Sequence, residues 1–344
     1  MRIRLALLIT GSLLLAGVCD VGGQELVESL VPNCQEQQFS PKFSDNRPWF
    51  NAWPSGSHEP QTFLLTGWSK RLPYTAKPGV HRILEGSIGM DVPIGVFDRG
   101  DNGDVPIGKG CWGVGLWLPL AFPMILDLTE NGQPVVNTDY NIGIAGKIAY
   151  GVSDHTRLGF LAEFGHESTH LAGDFTKNAE NIDEKYQLID VNYEFWKFGI
   201  NVESERSWGV VSLRFTTLFA SGRGHQGFYS YGYQTQDGSI LLPSKFNYEP
   251  AVGLQYMPPV TQGWHPYLSA DVHFSPTYNY DKQVEVGEKV RVSQTYLLGF
   301  RKFGMKRRGV PDLVMRLYRG RNPHGQLRNQ NTWWAIQLGA LIQQ

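Results

Sequence analysis

From about Thr62 to the C-terminus, apolar residues recur at every second position, and the runs are broken by clusters of Gly, Pro, Asn and Asp. Period two is the signature of strands with one apolar face, and no long segment carries the 3.6-residue period of an amphipathic helix. The clearest run is Tyr140 to Tyr150, YNIGIAGKIAY. Tyr140, Ile142, Ile144, Gly146, Ile148 and Tyr150 share one face, and Asn141, Gly143, Ala145, Lys147 and Ala149 share the other. A strand of this length, tilted by roughly 40°, rises about 25 Å, the height of an outer-membrane apolar band, with an aromatic residue at each edge.

Other segments repeat the pattern. Val114, Leu116, Leu118 and Leu120 alternate with Gly113, Gly115 and Trp117. Val211, Leu213 and Phe215 alternate with Ser212, Arg214 and Thr216, and Val252, Leu254 and Tyr256 with Gly253 and Gln255. Leu268, Ala270, Val272 and Phe274 alternate with Ser269, Asp271 and His273, and the last run aligns Trp334, Ile336, Leu338, Ala340 and Ile342. Lys147, Arg214 and Asp271 fall on the face opposite the apolar one, which predicts a polar, wet lumen rather than a packed apolar core.

About twelve strands are expected, joined by connections of alternating length. The turns after predicted strands 4, 6, 8 and 10 are short, and those after 3, 5, 7, 9 and 11 are long. The fold class that follows is all-β, a transmembrane antiparallel β-barrel with short periplasmic turns and long extracellular loops. One turn breaks the rule: DVPIGVFDRGDNGDVPIGKG, after the second strand, is long. The chain ends Ile342-Gln343-Gln344, without the terminal aromatic on which many outer-membrane proteins end.

The N-terminus adds a destination. Met1-Arg2-Ile3-Arg4, an apolar run and then small residues read as a signal peptide over 1–23, followed by a periplasmic lead-in over 24–60 and the barrel over 61–344. LAGVC, ending at Cys19, resembles a lipoprotein box, but Val18 stands where a small residue is wanted. Cys34 and Cys111 could form a disulfide in an exported chain. The formal net charge of −1 disfavours a nucleic-acid binder, and beyond the signal region no apolar stretch is long enough for a transmembrane helix. The expected location is the bacterial outer membrane, and the expected partners are its lipid and the barrel assembly machinery.

Three motifs suggest chemistry and must be weighed against this architecture. GDVPIGKG, Gly103 to Gly110, nearly matches a phosphate loop, but Gly110 replaces the Mg²⁺-binding hydroxyl and no helical pattern follows. Asp98, Asp101 and Asp104 could take up Ca²⁺, yet the rest of an EF-hand loop is missing, so a solvated turn and no cofactor is the preferred reading. GHESTH contains His166-Glu167-x-x-His170, the spacing of a zinc protease. On a helix this spacing brings both imidazoles to one metal; on a strand it leaves them roughly 13 Å apart, too far for one zinc. Strict alternation from Phe160 to Phe164 and the flanking Gly165 and Gly173 predict a strand, with His166, Ser168 and His170 in its outward phase near the outer rim.

HESTHLAGDF (His166 to Phe175), YRGRNPHGQLRNQ (Tyr318 to Gln330) and WPSGSHEPQTF (Trp53 to Phe63) resemble landmarks of a bacterial family catalogued as a domain of unknown function, number 1207. The resemblance implies an outer-membrane β-barrel and supplies no activity. It also implies that the two His, Ser168 and Asp174 belong to the family pattern, whereas Glu167 does not. His166, Ser168, His170 and Asp174, with Asn322, His324 and Gln326 from the predicted eleventh connection, form a candidate polar cluster at the outer rim. Its preferred role is to tie loops by hydrogen bonds. The sharper alternative is a site for modifying or hydrolysing lipid, with a His as base, Ser168 as nucleophile and Asp174 as orienter or metal ligand. Ranked first for the whole chain is a small channel or structural barrel.

Overall fold

The computed structural model describes residues 59–70, 79–97, 110, 112–129, 135–153, 155–170, 192–220, 233–234, 240–241, 248–259, 263–276, 290–303, 311–320, 323 and 333–342. The signal region, most of the lead-in, Cys19, Cys34, Cys111, the near phosphate loop other than Gly110, and Asp98, Asp101 and Asp104 lie outside them.

Twelve strands close into one antiparallel barrel. They are β1 (Thr62–Lys70), β2 (Val80–Phe97), β3 (Trp112–Asp127), β4 (Val135–Ser153), β5 (Thr156–His170), β6 (Asn192–Arg206), β7 (Gly209–Ala220), β10 (Tyr248–Met257), β11 (Gly263–Pro276), β12 (Val290–Phe303), β13 (Asp312–Gly320) and β14 (Trp333–Ile342). A two-residue pair, β8 (Tyr233–Gln234) and β9 (Ile240–Leu241), forms a separate ladder in the connection between β7 and β10. Each barrel strand pairs with its neighbours along the chain, and β1 closes on β14 in unbroken register from Thr62↔Ile342 to Lys70↔Trp334. Closure leaves no free edge, as a barrel in hydrocarbon requires.

Connections alternate between the two ends. At one end the strands are joined through 154–155, 207–208, 258–262 and 304–311; at the other they are joined through 71–79, 128–134, 171–191, 221–247, 277–289 and 321–332, and the connection after β3 is shorter than expected because β3 runs to Asp127 and β4 starts at Val135. These are called the turn end and the loop end. Residues 98–111, between β2 and β3, form a long connection at the turn end.

The alternation in sequence becomes a separation of faces. Outward positions carry Leu64, Ile144, Leu213, Leu254, Leu268 and Leu338, each about half exposed, whereas inward positions carry Glu85, Lys147, Glu167, Arg214, Asp312 and Arg316, all buried. An apolar exterior around a charged interior inverts the water-soluble arrangement and marks a membrane-spanning barrel. Aromatics edge the band. Trp196, Phe219 and Tyr248 stand toward the loop end, and Trp112, Tyr150, Trp208 and Tyr256 toward the turn end. Tyr256 Oη donates to the carbonyl of Trp208 at 2.9 Å, so the amphipathic ring finds its polar partner at the rim. Tyr140 and Tyr150 both project outward at opposite ends of β4.

Apolar clusters share the interior with these charges. Ile83, Ile125, Val136, Tyr318, Trp333 and Ala335 pack toward the loop end. Phe63, Leu65, Met257, Tyr267, Leu297, Val314 and Leu341 pack toward the turn end, and Gly299, directly opposite Tyr267 across β11 and β12, leaves room for its ring.

Candidate luminal binding site

Inward charges meet one another across the barrel. On the β13, β14, β1 and β2 side, Arg316 donates through Nε to Gln337 Oε1 at 2.9 Å and also pairs with Glu85, while Gln337 Nε2 donates to Glu85 Oε2 at 2.9 Å. The Arg316 guanidinium lies 5.6 Å from the centre of the Phe63 ring. Three polar side chains from three strands thus satisfy one another in a dry setting, the condition under which buried charge is tolerated. Toward the turn end, Arg301 grips Asp312 through Nη2 at 2.9 Å, and Tyr267 Oη donates to the same carboxylate at 3.0 Å.

The opposite side is organised around a residue that belongs to no strand. Glu59, just before β1, lies inside the barrel with its carboxylate 3.0 Å from Lys197 Nζ of β6 and 3.1 Å from Arg214 Nη1 of β7. Lys197 also stands 3.8 Å from Glu163, its direct register partner on β5. Nearer the β2–β4 wall, Lys147 pairs with Asp91 and lies over the Trp117 ring at 5.0 Å. Glu59 therefore acts as a strut from the lead-in to the far wall.

Beside this strut lies a cavity of about 70 Å³, lined by residues of β3 to β7, β10 and β11 together with Glu59 and Pro60. Its lining holds the carboxylates of Glu59, Glu163, Glu167, Glu249 and Asp271, against the cation of Lys197 and the imidazole of His273. Four of these acids are engaged. Glu59 and Glu163 meet Lys197, Glu167 accepts from Tyr193 Oη at 2.6 Å, and Glu249 lies 3.2 Å from His273 Nε2. Asn141, 9% exposed, also faces the cavity, and its Nδ2 has no hydrogen-bond partner among the described residues.

The residues singled out in the sequence fall into two places. Lys147 and Arg214 point inward, as expected of a polar lumen, and are each only 3% exposed, with counter-charges beside them. The physical reason is pairing across the interior, which the alternation of one strand does not reveal. Asp271 also points inward and borders the cavity. His166 and Ser168 occupy outward, partly exposed positions on β5, and His166 stands 3.7 Å from Glu194 of β6. Glu167 is turned to the interior at 2% exposure, so the protease-like motif splits its base from His166 across the wall of the barrel. Among the described residues there is no grouping of three or more His, Cys, Asp or Glu able to hold a metal. The His170 backbone ends β5; its side chain, Asp174, Asn322, His324 and Gln326 lie outside the described residues.

Sequence reasoning misses Glu59, Asn141, Glu163, Lys197 and Glu249. Asn141, Glu163 and Lys197 carry a usable signal as polar residues in the inward phase of strongly alternating strands. Glu59 precedes the alternation, so its one sequence signal is its place in WPSGSHEPQTF, a resemblance that assigns it no role.

No protein-family model and no curated protein matches the chain. Among solved structures it is similar to outer membrane phospholipase A from Escherichia coli, at 10% identity and a TM-score of 0.42, covering 82% of this chain and 89% of that one. It is also similar to the translocator domain of the autotransporter NalP from Neisseria meningitidis, at 14% identity and a TM-score of 0.36, covering 82% and 86%. A third similar structure is the CymD monoaromatic hydrocarbon channel, at 11% identity and a TM-score of 0.37, covering 82% and 86%. The barrel fold rests on the strand register itself, and no activity is drawn from these likenesses.

Proposed function

We propose that this protein is a bacterial outer-membrane barrel forming a narrow, normally closed path for small polar solutes, with its turn end in the periplasm. The observation that carries this reading is the Glu59 strut. Its carboxylate neutralises two wall cations, yet it sits on a segment outside the barrel ladder. A barrel kept only for mechanical support gains nothing from such an arrangement, since buried ion pairs are frequently no more stabilising than apolar packing of the same volume. A strut joined to the wall by side-chain contacts can leave without breaking a strand, and its departure exposes a charged, hydratable lumen. Surrounding lipid and the barrel assembly machinery are the partners this reading requires, and the resemblance to the family numbered 1207 is consistent with it.

The test is planar-bilayer recording of the folded barrel. Wild type is expected to be closed for most of the record with brief openings, and Glu59→Gln to raise the open fraction severalfold while the barrel stays folded. Silence from both proteins after confirmed insertion would refute a solute path.

A further inference from the structure

We propose that the cavity beside Glu59 is a binding subsite for a small organic ammonium compound that also carries an oxygen acceptor, such as an amino alcohol. The proposal rests on the reading of the lumen as a solute path and names the class of solute it holds.

Two independent observations define the class. The first is charge: five carboxylates face one lysine and one histidine in the lining, and adding the neighbouring Arg214 still leaves acid in excess. A concavity with excess negative charge draws cations and rejects anions. Glu59, Glu163, Glu167 and Glu249 already have partners within the protein. Asp271 makes no hydrogen bond or ion pair among the described residues, and it borders the cavity, so its carboxylate is the group available to receive a ligand N–H.

The second is the Asn141 amide. It is nine-tenths buried, it faces the same cavity, and its Nδ2 donates to nothing among the described residues. A buried donor left without an acceptor is costly, and native structures rarely leave one so. A bare inorganic cation or an alkylammonium cannot satisfy it, because neither accepts a hydrogen bond. A neutral diol could satisfy it but does nothing for the excess acid. A protonated amine bearing a hydroxyl satisfies both. Size agrees: about 70 Å³ is room for roughly five to seven water-sized spheres, enough for a solute of four or five heavy atoms. Lys197 is held by Glu59 and Glu163 and is not needed as a ligand group.

The experiment uses the full barrel in detergent micelles, with ligand saturation-transfer NMR titrations of four probes of four heavy atoms each: ethanolamine, propylamine, ethylene glycol and acetate. Ethanolamine is expected to bind tightest, about fivefold ahead of propylamine, the worth of one net hydrogen bond. Acetate is expected to bind weakest. Asn141→Ala should erase the lead of ethanolamine over propylamine, and Asp271→Asn should weaken both amines by about tenfold or more. Equal saturation of all four probes, none at all, or a preference for acetate or glycol in wild type would overturn the proposal, and the wild-type ranking decides even if a variant fails to fold. Because the readout is binding, its failure is separable from failure of the solute path, which the bilayer recordings report.

Discussion

The two sides of the lumen are built from the same alternation of apolar-out and polar-in residues, yet they are closed by different means. On the β13, β14, β1 and β2 side, Arg316, Glu85 and Gln337 come from strands, satisfy one another directly, and sit between apolar clusters. On the β5, β6 and β7 side, Lys197 and Arg214 are neutralised by Glu59, which comes from outside the ladder, and a cavity adjoins the contact. One side is closed by its own wall and the other by a residue from outside the ladder. On the proposed reading the difference separates stability from function: the self-satisfied side holds the barrel together, and the borrowed side is where a solute would pass or bind.

The largest effect expected from this contrast is on Arg316. Replacing it by Leu leaves Glu85 buried without its cation, which costs about 3–5 kcal/mol. Lys197→Met should cost clearly less, because Glu59 keeps Arg214 at 3.1 Å and the cavity can admit water. Urea unfolding midpoints of the two variants in micelles compare them directly; equal losses would break the distinction between the sides. A medium effect is expected at Gly299. A β-carbon there runs into the Tyr267 ring, and overpacking of this kind costs about 1–3 kcal/mol. The same unfolding measurement on Gly299→Ala checks it. The smallest effect is expected on the outer surface of the cavity side. His166 and Glu194 form a partly exposed pair at 3.7 Å, so His166→Ala should change stability by less than about 1 kcal/mol, and an unchanged midpoint would confirm that this pair carries little of the stability.

Much of the barrel is legible in the sequence alone, for identifiable reasons. Period-two patterning is local, so Tyr140 to Tyr150 reads as a span with aromatic ends, and the split of His166 and Ser168 from Glu167 follows from the same phase. The long connection after β2 is visible as a breach in the alternation of lengths, although Asp91 to Phe97, read as its first part, extend β2 instead. What alternation cannot supply is the relation between distant strands. Lys147 and Arg214 can be placed inward, but their partners depend on register and shear: Lys147 meets Asp91 two strands away on β2, and Arg214 meets Glu59. Glu59 and Lys197 are 138 residues apart in sequence, with no local pattern linking them. For that reason alternation places Lys147 and Arg214 in a polar lumen without telling an open lumen from a filled one. The rim cluster of His170, Asp174, Asn322, His324 and Gln326 falls on connections and a side chain outside the described residues, where periodicity does not reach.

The central claim is that Glu59 closes the lumen through Lys197, and charge exchange tests it most directly. In planar bilayers Glu59→Lys should be open for most of the record, because it sets a third cation against Lys197 and Arg214. Adding Lys197→Glu to that variant restores an opposite charge at the same contact and should return the open fraction toward that of wild type. A double variant as open as Glu59→Lys alone, with both proteins folded and inserted, would contradict the claim.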